Sequence, residues 1–194
     1  MPPDPCPTFS LNIDRAWPVS GKNTNVYTKL SASIRQTFNV GIIGTSEYRI
    51  SAGKFLDTTS LAVMDYSYMR GGDRYFFSPA MYTYQLIPRT FPVFDWHLET
   101  HYVHQFNGFL TSKIPLLNKT KIREMAGGGF LYVPERKFQY SELYFGLNRI
   151  FKLGRERIRL GAYYVIGQSN TFGISNGIKF SIEPYNAAKN TWSF

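Results

Sequence analysis

Apolar and polar residues alternate one by one along most of this chain, the period of a strand whose two faces meet different surroundings. The clearest case lies near the end, where Ile158, Leu160, Ala162, Tyr164 and Ile166 share one face while Arg157, Arg159 and Gly161 begin the other. The same reading sets Phe9, Leu11, Ile13 and Trp17 against Ser10, Asn12 and Asp14, then Leu30, Ala32, Ile34 and Phe38 against Ser31, Ser33 and Arg35. Tyr48, Ile50 and Ala52 oppose Glu47, Arg49 and Ser51, and Trp96, Leu98, Thr100 and Tyr102 oppose Asp95, His97, Glu99 and His101. Leu143, Phe145 and Leu147 oppose Glu142, Tyr144 and Asn148, while Ile178, Phe180 and Ile182 oppose Lys179, Ser181 and Glu183. With residues 121–133, "KIREMAGGGFLYV", whose triple glycine obscures the phase, eight strands are predicted. Turn-forming stretches such as "PVSGKNTN", "KLGRE" and "QSNTFG" separate them, and neither a helical period nor a fixed repeat is present.

Two connections exceed hairpin length. The one from Phe55 to Phe94 runs about 40 residues, a length usual for a functional or a mobile segment, and leaves room for short strands of its own. The other, Asn107 to Thr120, contains "SKIPLL", an apolar patch suited to packing on a rim or plug.

An eight-strand meander with one apolar face closes in two ways, as a soluble barrel with that face inward or a membrane barrel with it outward. Alternation does not choose; composition does. With 14 Tyr and 16 Phe, the apolar rows are too bulky for a small interior, whereas the opposite rows carry charges and histidines that suit a wet lumen. Trp17, Phe38, Tyr48, Trp96 and Tyr144 fall toward predicted strand ends, where an aromatic girdle meets headgroups. The net charge of +9 is spread along the chain, which fits anionic lipid headgroups and offers nucleic acid no stripe. No apolar run reaches the length of a membrane helix, but barrel strands need only about 10 alternating residues each. Cys6 is alone, so no disulfide framework or thiolate metal cluster is read, and "MPPDPCPTFS" lacks the pattern of a secretory signal. Residues 1–194 therefore read as one all-β domain, an antiparallel transmembrane β-barrel with about eight strands, placed in a bacterial outer membrane. A soluble, lipocalin-like ligand-binding barrel is the alternative.

Ser175, Gly177, Phe180 and Ile182 follow the order polar, glycine, aromatic, hydrophobic at the spacing of a barrel's closing strand. This resembles the C-terminal signal by which outer-membrane barrels are recognised by the insertion machinery, and implies that machinery as a partner. Twelve residues follow this strand, and the chain ends on Phe194, a residue common at that place in such proteins. On this reading Phe180 faces lipid, and Lys179, on the opposite face, tolerates replacement by serine.

The stretch "HYVHQFNGFLTSKIPLLNKTKIREMAGGG", His101 to Gly129, resembles the signature segment of a Bacteroidota outer-membrane barrel family of unassigned function. His104, Phe106, Gly108, Lys113, Ile114, Pro115, Leu116, Leu117 and Gly127 to Gly129 sustain the match, while Val103 interrupts a paired histidine and Ser112 replaces an asparagine. The resemblance covers nearly the whole chain but only the C-terminal part of such a protein, whose members usually carry a carboxypeptidase-regulatory-like domain first. It implies an absent N-terminal domain and a chain that forms the later half of a larger barrel, with a smaller closed barrel as the competing reading.

Catalytic chemistry is not legible. His97 and His101 lie about 13 Å apart along a strand and His104 points to the other face, so one ion cannot bridge them. Asp95, His97, Glu99 and His101 read as a polar ladder in a lumen, and no nucleophile elbow, phosphate loop or HExxH occurs. No cofactor, metal or enzymatic activity is predicted, and the function read is envelope transport or outer-membrane protein assembly. "MRGGD", Met69 to Asp73, distantly resembles the loop tip of assembly and translocation barrels of the BamA and TamA type, with Gly72 in place of an aromatic. Five predicted strands follow it, and the resemblance implies a loop folded into the lumen, from which the planar Arg70 guanidinium can reach Glu99 or Glu142 as a latch; a plain glycine turn is the other reading.

Overall fold

Strand alternation appears in the structure as two sharply different faces of one sheet. The computed structural model describes residues 6–17, 26–57, 61–87, 90–115, 119–154, 156–171 and 173–184; Leu116, Leu117 and Phe194 lie outside the described residues. Among the described residues ten strands form: β1 (Thr8–Ala16), β2 (Tyr27–Asn39), β3 (Thr45–Asp57), β4 (Ser67–Arg70), β5 (Thr90–Val93), β6 (Trp96–Gln105), β7 (Arg123–Val133), β8 (Phe138–Leu153), β9 (Glu156–Ser169) and β10 (Gly173–Pro184). Eight of them make one antiparallel sheet in the order β1-β2-β3-β6-β7-β8-β9-β10, and β4 and β5 pair separately. Every predicted strand has its counterpart in the large sheet, and the connection between β3 and β6 holds the two short strands.

Residues 61–87 and 90–95, in the connection between β3 and β6, fold back over one face of the sheet. Along β9 that covered face carries Arg159, Tyr163 and Val165, all buried, while Leu160, Tyr164 and Ile166 on the bare face are exposed. The glycine-rich β7 takes its phase from packing: Met125, Leu131 and Val133 are buried and Phe130 is exposed. Two apolar clusters join segment to sheet. Met69, Tyr84, Ile87 and Val93 meet Leu131, Val133, Phe138 and Tyr140. Phe77, Ala80 and Met81 meet Val103, Met125, Tyr144, Tyr163 and Val165. Burial of a side chain such as Phe77 or Met69 stabilises the docked segment by about 1.5–3 kcal/mol.

Closure into a barrel is not seen among the described residues: β1 and β10 are the two edges of the sheet. β1 is exposed on both faces, with Phe9, Leu11 and Ile13 each about two-thirds accessible. The free edge of β10 is occupied at one point, where the Phe77 N–H donates to the Phe180 carbonyl (2.8 Å) and the Phe180 N–H to the Tyr75 carbonyl (2.9 Å). Tyr144 is a correction to the girdle reading. It shares the covered face with Glu142, is 4% exposed, and meets Phe77 edge-on at 5.2 Å.

Two glycines make room for the segment. A Cβ at Gly146 would lie 1.9 Å from Cδ1 of Tyr163, whose ring stacks on Phe77 at 4.0 Å. One at Gly129 would lie 2.9 Å from the Tyr84 ring, which sits 4.5 Å from His101 and edge-on to Tyr140. Gly177 has open space, its nearest contact being Leu86 at 3.9 Å. Gly146→Ala is therefore expected to lower stability by about 1–3 kcal/mol through overpacking, and Gly177→Ala by much less. Chemical unfolding followed by tyrosine fluorescence compares the two; equal effects would contradict the packing.

Candidate functional site

The covered face carries charge, and the segment lying over it answers that charge with its backbone. Glu142, central on β8 and 2% exposed, receives the Gln85 N–H at 2.8 and 3.0 Å, the Leu86 N–H at 3.4 Å, and the Tyr140 hydroxyl at 2.6 Å. Tyr140 stands two residues away on the same strand, and the period of two places both on one side. Lys179, on β10, donates from Nζ to the carbonyls of Asp73 and Gln85. Gln85 is thus held at both of its main-chain groups, N–H by a carboxylate and carbonyl by an ammonium. Its side chain completes the fold of the segment, accepting from the Ser78 N–H (3.0 Å) and donating to the Ser78 carbonyl (2.9 Å).

A second set of contacts comes from β2 and β3. Arg35 donates to the Tyr82 hydroxyl at 2.6 Å and pairs with Glu47. Arg49 donates to the Met81 carbonyl at 3.4 Å, lies 4.9 Å from the Tyr82 ring centre, and stands 3.6 Å from Glu99. Glu99 also accepts from Ser51 Oγ at 2.5 Å and lies 3.7 Å from His101. Burial, with the carboxylates Glu99 and Glu142 adding to it, holds the Tyr84 phenol well above its ordinary range, so it stays a neutral donor to the Phe130 carbonyl (2.8 Å).

The predicted latch is placed differently. The segment does fold onto the face that carries Glu99 and Glu142, but Arg70 meets neither carboxylate. Parity on β4 decides this: Ser67 and Met69 are buried, so Tyr68 and Arg70 point away. Arg70 contributes its carbonyl, which accepts the Tyr84 N–H at 3.0 Å. The cations that reach across belong to the sheet instead: Arg35, Arg49 and Lys179. Lys179 also departs from its reading as a replaceable lumen residue, because it is 2% exposed and satisfies two carbonyls.

Of the closing-signal residues, Phe180 (54% exposed) and Ile182 (66%) lie on the bare face, with Ser175 exposed and Gly177 intermediate on the same strand. His97 and His101 share the covered face, whereas His104 bonds Ser46 Oγ at 2.7 Å. Among the described residues no three potential metal ligands come together. Gln85, Tyr140 and Lys179 were not singled out as anchors in the sequence. A lone lysine and a lone glutamate, each on the polar parity of a strand, were the available signal; backbone partners have none.

Lys179→Ser is expected to free the segment, leaving two carbonyls unanswered and Glu142 without its neighbouring cation. The loss for the ammonium's hydrogen bonds is of the order of 1.5–3 kcal/mol. Limited proteolysis after Arg74 should accelerate in Lys179→Ser and in Glu142→Gln, and remain at the parental rate in Arg70→Lys. Equal protection in all three would show that the apolar clusters alone hold the segment.

No curated protein and no solved structure matches the chain. Residues 2–147, more than half of it and reaching into β8, match the family model described as "Family of unknown function (DUF5686) C-terminal domain", and the chain belongs to that family.

Proposed function

We propose that this chain is part of a bacterial outer-membrane β-barrel in which the bare face meets lipid and the covered face forms a lumen plugged by the segment between β3 and β6. One observation carries the reading: the apolar rows of β8, β9 and β10 are exposed while their charged and polar rows are buried. Leu143, Phe145, Leu147, Leu160, Tyr164, Ile166, Ile178, Phe180 and Ile182 lie outside; Glu142, Asn148, Arg159, Lys179 and Ser181 lie within. Water would oppose such an arrangement, since exposed apolar surface on this scale is unfavourable, whereas a bilayer favours it. A lipocalin-like barrel needs the reverse, with the apolar rows inside.

The function that fits is non-enzymatic, in envelope transport or in the assembly and translocation of outer-membrane proteins. The plug supports it, because a segment held by a few buried charges over a lumen face is a removable obstruction. Partners on this reading are the bilayer, its anionic headgroups facing a chain of net charge +9, and the insertion machinery reading Ser175, Gly177, Phe180 and Ile182. The Bacteroidota origin, a preceding carboxypeptidase-regulatory-like domain and the kinship with assembly barrels belong to the same proposal.

Depth dependence tests the membrane reading. Tyr164→Arg, in the middle of β9, should cost about 2–4 kcal/mol in liposomes, and Gln168→Arg, near its end, about 0–1 kcal/mol. Urea unfolding from liposomes measures both. A chain that stays monodisperse without detergent, or tolerates both substitutions alike, would sink the proposal.

Sidedness gives a separate check. In a Cys6→Ser background, a cysteine at Met64, 89% exposed in the long segment, should react with an impermeant maleimide on intact cells. One at Ile42, 85% exposed in the β2–β3 turn at the opposite end of the sheet, should stay unlabelled until the cells are opened. The reverse pattern would invert the topology.

A further inference from the structure

A cavity of about 280 Å³ lies between β2, β3 and β6 and the β4 part of the covering segment. It sits on the covered face, whichever solvent meets the bare one. Its lining includes Lys29, Ser31, Ser33, Arg49, Ser67 and His97. Two of these are buried side chains with an unanswered polar atom. Ser67 is 5% and His97 6% exposed, and neither Ser67 Oγ nor His97 Nδ1 has a hydrogen-bond partner among the described residues. An unpaired buried polar atom costs free energy and points to a group that arrives from outside.

The donors outweigh the acceptors. Lys29 and Arg49 bring two cations against one carboxylate in the lining, Glu99, and Glu99 is already engaged by Ser51, Arg49 and His101. Lys29 Nζ has the Phe55 ring at 5.6 Å as its neighbour, a contact that leaves its three donors available. The serine hydroxyls of β2 stand two residues apart on one face, a ladder of further donors. The volume falls below the roughly 300–1,000 Å³ of sites for drug-sized ligands, which favours a compact group over an extended one.

We infer that this cavity is a binding site for a phosphoryl group, in which Lys29 and Arg49 balance the charge and Ser31, Ser33, Ser67 and His97 receive the oxygens. The shared chemistry is a tetrahedral oxyanion with at least two unit-charged oxygens, carried either by free phosphate or by a phosphate-bearing lipid headgroup. Arg49 then serves two anions, Glu99 on one side of its guanidinium and the ligand on the other, a sharing that its five donors permit.

Phosphorus NMR on the full chain tests the site in two arms. In maltoside micelles, which hold no phosphorus, inorganic phosphate is titrated and its line width followed; in phosphatidylcholine nanodiscs, phosphatidic acid is the probe. Saturable broadening in the first arm marks a free phosphate ligand, and broadening confined to phosphatidic acid in the second marks a headgroup. In the responding arm Lys29→Gln should weaken binding about tenfold, since it removes a charge-assisted contact. Ser67→Ala should weaken it about threefold while leaving the unfolding midpoint equal or higher, because an unanswered hydroxyl is deleted. That combination separates a ligand contact from a structural one. No saturable broadening in either arm, or binding that Lys29→Gln leaves unchanged, would overturn the site and leave a hydrated cavity.

Discussion

The main chain of Gln85 is the contact on which the covered face depends. Buried charge must find partners, and here Glu142 and Lys179 approach one residue from strands separated by β9. A carboxylate takes its N–H and an ammonium takes its carbonyl. Polarity alone then dictates the direction of the segment, since a reversed chain would set carbonyl against carboxylate and N–H against ammonium. Apolar packing carries no such directional information.

Two apolar clusters flank that pin, and Leu86, the next residue, packs against both. The arrangement divides labour: the clusters supply most of the burial, and the charges set register between them. Gly146 and Gly129 belong to the same logic, because the rings of Tyr163 and Tyr84 lie where a side chain would otherwise stand. The polar row is spent on the segment and on the Glu99 network, and the residues of the sheet's other face, such as Leu143, Tyr164 and Ile178, are apolar and exposed. The membrane reading proposed above therefore draws on the covered face as much as on the outward residues themselves.

Period-two alternation made the sheet legible, and β9 shows why. Burial alternates from Arg159 to Ile166, with Arg159, Tyr163 and Val165 buried and Leu160, Tyr164 and Ile166 exposed, so parity alone assigns both faces. β7 was opaque because Gly127, Gly128 and Gly129 carry no side chain to vote with. β4 and β5, four residues each, are shorter than any window in which a period can be counted. The Arg70 latch failed for a related reason: the tip's position in the fold was readable, but the parity of a strand that short was not. Tyr144 was read by its aromatic nature when its neighbour Glu142 already fixed its side. Gln85 lay beyond reach, since its role is played by backbone groups that every residue shares.

The two edges of the sheet pose the remaining physical constraint. β1 presents Phe9, Leu11 and Ile13 beside a row of main-chain donors and acceptors that no further strand answers among the described residues, a liability in water because it templates association. A bilayer relieves only half of that problem: it solvates the side chains but offers nothing to the N–H and carbonyl groups. On the membrane reading proposed above, the bare face therefore calls for a further strand along β1. β10 differs, because Tyr75 and Phe77 already answer the main chain of Phe180 from its open side. A strand that pairs along the whole of β10 has to displace that contact, and the displaced residues belong to the same segment that Glu142 and Lys179 hold over the covered face. Completion of the sheet at β10 and release of the segment are for that reason coupled through residues 75–85. On the barrel reading proposed above, either this sheet closes on itself with the 75–77 contact withdrawn, or additional strands enter between its edges; in both cases the segment's anchorage is what a newly paired strand would work against.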